Sequence, residues 1–122
     1  MTIKNIAPQL RTTDMESTLR FYTEKLGFAT EFNYEDFYVG LSAGGNTIHL
    51  KRVDEKDPSI PFVEDGGHLH LYFEVDGVSA FADRLKAKGV KLAKDVHETD
   101  WNTREFIVLD DQGHTLYFGE SL

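Results

Sequence analysis

Cysteine is absent from this 122-residue chain. The fold therefore uses no disulfide, thiol nucleophiles and thiolate metal sites are excluded, and a reducing compartment suits the composition. Basic residues are scarce, with 13 Lys and Arg against 21 Asp and Glu and a formal charge of −8. Nucleic acid and anionic lipid are held chiefly by Lys and Arg, so both are disfavoured as partners, and a neutral or cationic small molecule fits better. No apolar run approaches the roughly 20 residues that cross a bilayer, and the N-terminus lacks the basic-then-apolar layout of a signal peptide. A cytoplasmic protein with no membrane partner is the expectation. Missing as well are a Gly-rich phosphate loop, a nucleophile elbow and a zinc-protease motif. Ser42, Ser59, Ser79 and Ser121 stand without an evident base, so hydrolysis by a nucleophilic serine is not expected.

What is present is one structural phrase stated twice. Hydrophobic residues at 40% and charged residues at 28% are ordinary for a globular chain, and the length fits a single domain. A first module over about 1–53 and a second over about 68–122 each read as strand, helix and three strands, joined by a linker over 54–67 that carries Pro58, Pro61, Gly66 and Gly67. Asp14 and Gly27 lie thirteen positions apart, as do Asp76 and Gly89. Ile3 to Arg11 reads as the opening strand, with Ala7, Gln9 and Arg11 on one face. Asp14 reads as the cap of a helix that stops at Gly27. Two strands turning near Asn33 to Asp36 and a turn at Ala43-Gly44-Gly45-Asn46 lead to a fourth strand from Thr47. In the second module Leu69, Leu71, Phe73 and Val75 alternate with His68, His70, Tyr72 and Glu74, so one face buries against a helix and the other meets something polar. Paired modules place a ligand in the groove between them.

Four stretches carry a family resemblance. Phe21-Tyr22-Thr23-Glu24-Lys25-Leu26-Gly27-Phe28, Val75-Asp76-Gly77-Val78, Trp101-Asn102-Thr103-Arg104-Glu105-Phe106 and Asp110-Asp111-Gln112-Gly113-His114 resemble the vicinal oxygen chelate superfamily, which includes glyoxalase I, extradiol dioxygenases, and fosfomycin and bleomycin resistance proteins. The phrase from Trp101 to Phe106 is most similar to the bleomycin resistance branch, with Asn102 where a Gly is usual, a change that left-handed backbone tolerates. The resemblance implies an α+β fold of two βαβββ modules, curved mixed sheets enclosing a cleft with the helices outside, and a homodimer with shared or swapped cavities.

Metal-dependent members of that superfamily hold a divalent ion on the first and last strands of each module, and the matching positions here are Ala7, His49, His70 and Tyr117. Ala7 offers no side-chain donor, and Tyr117 is an unusual ligand for this geometry. Two neutral imidazoles hold such an ion weakly, so no cofactor is favoured; the alternative is a Zn, Fe, Ni or Mn ion on His49, His70 and Glu74. His97 and His114 read as solvent-exposed.

Phe32, Tyr34 and Tyr38, with Tyr72 and Tyr117, suit the walls of a cleft for a planar or cationic ligand, which His49 and His70 would line. Trp101 lies in a polar loop with little core to fill and reads as a lid or wall. Arg104 either meets an anionic group or pairs with Glu105 or Asp100. The leading expectation is a small-molecule binding protein that sequesters its ligand, of the antibiotic resistance type. The rival is a metal-dependent lyase, isomerase or dioxygenase working through His49 and His70. A degenerate partner-binding module is the third reading.

Overall fold

The order strand, helix and three strands runs twice through residues 1–122, all described by the computed structural model. The chain divides into two compact units, Met1–Asp57 and Pro58–Leu122.

In the first unit, β1 (Gln9–Thr12) leads into α1 (Met15–Arg20). Asp14 caps that helix, its carboxylate accepting from the Ser17 amide at 3.1 Å. The helix loosens into a π-helical turn over Phe21–Lys25, where the Leu26 amide reaches back five residues to the Phe21 carbonyl. β2 (Ala29–Tyr34), β3 (Tyr38–Ala43) and β4 (Asn46–Arg52) follow, and the sheet order is β1-β4-β3-β2 with only the β1–β4 pair parallel. Glu35 and Asp36 both take positive φ in the β2–β3 turn, held by a 2.8 Å bond from the Asp36 amide to the Asn33 side chain. Val39, Leu41, Ile48 and Leu50 alternate onto one sheet face and are buried together with Met15, Tyr22 and Leu26. A 2.7 Å bond between the Thr12 and Thr18 hydroxyls ties strand to helix inside this core.

The second unit repeats the plan. α2 (Ser59–Glu64) precedes β5 (Leu71–Glu74), α3 (Val78–Ala87), β6 (Leu92–Glu98), β7 (Thr103–Leu109) and β8 (Thr115–Ser121), with sheet order β5-β8-β7-β6. Phe106, Val108, Leu116 and Phe118 lie on the side of α3, which buries Val78, Ala82 and Leu85. The Phe106 and Phe118 rings stack at 5.2 Å and 17°, and Phe81 meets Phe118 edge-on at 5.2 Å. The cap of α3 comes from far along the chain: the Glu120 carboxylate accepts from the amides of Gly77 at 3.0 Å and Val78 at 3.1 Å.

The α+β class and the mixed four-stranded sheets agree with the sequence reading, and four local expectations need correction. The opening strand starts at Gln9 rather than Ile3, and Ile6 stays 81% exposed. Pro8 has no amide proton to give, so the ladder begins just after it. Leu69, on the side of the alternation that faces the core, is 76% exposed. β5 joins β8 only from the Leu71–Leu116 pair, and in that register Leu69 falls opposite His114, outside the partner strand. The stretch expected as plain linker contains α2, whose Pro58 and Pro61 sit in the first turn, where amides have no helical partner to lose, and whose Ile60 is buried. His114 is buried rather than exposed: its amide bonds the Asp110 carboxylate at 2.9 Å in the turn between β7 and β8.

Candidate functional site

Each sheet has a face turned away from its own helix, and most of the residues singled out from the sequence stand there. On the first sheet Gln9 is in register with His49, and His49 with Gly40, so all three share that face. Gly40 also pairs with Phe32, whose ring lies over it where a side chain would otherwise stand. Phe32 stacks on Tyr38 with ring centres 6.2 Å apart and an 11° tilt, and His49 meets both rings edge-on at 5.5 and 5.4 Å. The Gln9 side-chain amide donates to the Tyr38 hydroxyl at 3.2 Å, and that hydroxyl and His49 Nδ1 are 2.9 Å apart. Run in the order Gln9, Tyr38, His49, these donors leave Nε2 as the ring N–H available to a ligand. Tyr34 pairs with Tyr38 at the end of β2 and is well exposed. The result is a small aromatic layer with polar edges.

On the second sheet the face away from α3 holds His70 against Tyr117, edge-on at 5.2 Å. Tyr72 reaches across bare Gly119 and donates to Glu105 Oε2 at 3.0 Å, while the Thr103 hydroxyl donates to the same oxygen at 2.9 Å. Burial, then the hydrogen bond and negative charge of Glu105, raise the Tyr72 pKa above its ordinary value, so Tyr72 keeps its proton as the donor. The Thr103 hydroxyl is itself 2.7 Å from that of Thr99, at the base of the loop that carries Trp101. Trp101 is 70% exposed, and Asn102 has φ +70, the left-handed backbone its position demands.

Two expectations separate here. Arg104 stands on the opposite face of β7 from Glu105, so it leaves the group: its guanidinium is 3.7 Å from Glu98 and 4.0 Å from Glu120, not paired with Glu105 or Asp100. Glu74 is exposed, and no three His, Asp or Glu side chains converge as a metal cage needs. Of the positions that match metal ligands in metal-dependent relatives, Ala7 contributes no side-chain donor, while His49 has Nδ1 engaged by the Tyr38 hydroxyl and Nε2 open. Sequence reasoning missed Glu105 as a member of the face. The alternation of buried Phe106 and Val108 was the available signal, because it puts Glu105 and Ile107 on the other side of β7.

Comparison with known proteins agrees with this architecture. Bleomycin resistance proteins of Geobacillus stearothermophilus and Staphylococcus aureus are each 24% identical, over 94% of this chain and 95% of theirs. A crystal structure of a glyoxalase/bleomycin resistance protein/dioxygenase from Alicyclobacillus acidocaldarius superposes with a TM-score of 0.81 at 15% identity, covering 98% of this chain and 92% of that one. A bleomycin-binding protein from bleomycin-producing Streptomyces verticillus, complexed with copper(II)-bleomycin, gives a TM-score of 0.73 at 22% identity, covering 97% and 96%. The model of one family matches residues 2–118, almost the whole chain, and this protein therefore belongs to the Glyoxalase/Bleomycin resistance protein/Dioxygenase superfamily.

Proposed function

We propose that this chain binds a small aromatic or cationic molecule and sequesters it, without a bound metal and without changing it chemically, in the manner of an antibiotic resistance protein. The observation that carries this reading is the Phe32–Tyr38–His49 layer, in which Gln9, the Tyr38 hydroxyl and His49 Nδ1 already bond one another and the ring faces offer flat apolar area. Such faces suit a planar ring system or a cation. The donor set supports binding without metal, since carboxylates do not gather around either imidazole. A cytoplasmic homodimer belongs to the same reading, and the wholly exposed edge strand β2 supports self-association.

Bleomycin is the first ligand to test, because a structural neighbour is complexed with its copper(II) form and the sequence relatives are bleomycin resistance proteins. Titrating the protein with metal-free bleomycin and with copper(II)-bleomycin, while following the emission of its single tryptophan, Trp101, should give saturable binding of the unchanged compound. No response to either form, or to other cationic or planar aromatic antibiotics, overturns the reading. So does stoichiometric metal in protein purified without chelator that disappears in His49→Ala, which would favour the metal-dependent enzyme instead.

A further inference from the structure

Glu105 is an anion held in place with nothing positive beside it. Its side chain is 95% buried, since only 5% of the residue's surface is exposed. The two hydrogen bonds it receives, from Tyr72 and Thr103, come from neutral hydroxyls and converge on Oε2. It takes part in no ion pair, and the neighbouring Arg104 is committed to Glu98 and Glu120 on the other face of the strand. Removing a carboxylate from water without a counter-charge is costly, and an apolar residue of similar size would serve the sheet better. The second oxygen, Oε1, accepts from no group of the chain. It is not sealed in either, because the only fully buried side-chain polar atom lacking a partner is Thr115 Oγ1.

We propose that Glu105 anchors a positively charged nitrogen of the ligand, an ammonium or guanidinium that donates to Oε1 while the adjoining ring or chain lies along Tyr72. This deepens the sequestration reading and rests on it. The surroundings fit the task. Tyr72 is 48% exposed, so its ring presents a face beside the carboxylate, and ring and anion both attract a cation. The two hydroxyl donors fix the carboxylate plane in advance, which lowers the ordering cost of binding. Bare Gly119 leaves room for the Tyr72 hydroxyl to reach Glu105, since a methyl there would collide with it. A net charge of −8 draws cations toward the protein from a distance.

The test uses a matched pair of probes, naphthylmethylamine and naphthylmethanol, which share a shape and differ in one charge. Their affinities for the full chain are read by amide chemical-shift mapping. The amine should bind about tenfold more tightly than the alcohol, the scale of one charge-assisted hydrogen bond, with shifts centred on Thr103, Glu105 and Gly119. In Glu105→Gln the preference should fall to about one, while in Glu98→Gln, which removes a carboxylate paired with Arg104 on the other face of the sheet, it should persist. Equal binding of the two probes by the unmodified protein overturns the assignment whether or not either variant folds. A preference that survives in Glu105→Gln, or shifts centred elsewhere, also overturns it. Failure of bleomycin and of the other cationic or planar aromatic antibiotics to bind, with the amine preference intact, refutes the sequestration reading and leaves only the preference of Glu105 for a cation.

Discussion

Replacing Gly40 by Ala separates what the first sheet needs for stability from what it needs for binding. A methyl at this position would occupy the space of the Phe32 ring. Gly40 does not have positive φ, so the backbone accepts Ala without strain and the ring must swing away. Phe32 is 43% exposed and has open space to move into. The lost contacts with Tyr38 and His49 cost about 0.5–1.5 kcal/mol per aromatic pair. Restricting the unfolded chain returns about 0.4–1 kcal/mol. Net stability in urea denaturation should therefore fall by no more than about 2.6 kcal/mol, with the denaturant slope unchanged. Ligand that rests on Phe32 loses one wall, and affinity by calorimetric titration should fall about tenfold, the equivalent of about 1.4 kcal/mol. Undiminished affinity with the ring visibly displaced would refute the assignment of this layer as the binding surface. A loss of stability above about 4 kcal/mol would refute the claim that the ring is dispensable to the core.

Three further outcomes are expected. Glu120→Ala removes the cap of two α3 amides and should lower stability by about 1–2 kcal/mol in thermal melts, while Glu120→Gln, which keeps one accepting oxygen, should lose about half of that. One tyrosine should ionise late in an ultraviolet pH titration, above the ordinary value of 10.0, and this late step should vanish in Tyr72→Phe and move down in Glu105→Gln. Because the folded state holds that proton more tightly, the associated stability is present below pH ~10 and fades as the pH rises through the raised value. Phe106→Ala, which empties a fully buried site between Phe81 and Phe118, should cost about 3–5 kcal/mol in the same melts.

The repeated phrase was legible because it rests on local signals that survive without tertiary context. Asp14 before an apolar stripe, Gly27 and Gly89 after one, and the Gly44-Gly45 turn each fix backbone geometry by their own chemistry, and the strands between them follow by alternation. Alternation also placed Gln9, His70 and Tyr72 away from the helices, and the family resemblance singled out His49. Residues whose roles depend on distant partners were not legible. Arg104 looked like a ligand group because sequence does not reveal that Glu98 and Glu120 flank it, and Glu105 looked like its partner although adjacent residues in a strand face opposite ways. The exposure of Ile6 and Leu69 followed from where a ladder ends, which is set by the other strand.

Asp76 matches Asp14 in the repeat, yet the start of α3 is held by Glu120, more than forty positions downstream. During synthesis on the ribosome the first helix can be completed as soon as its own residues emerge. The second gains its cap only after the strand that carries Glu120 has left the exit tunnel, and translation pauses before that point would leave the helix start unprotected.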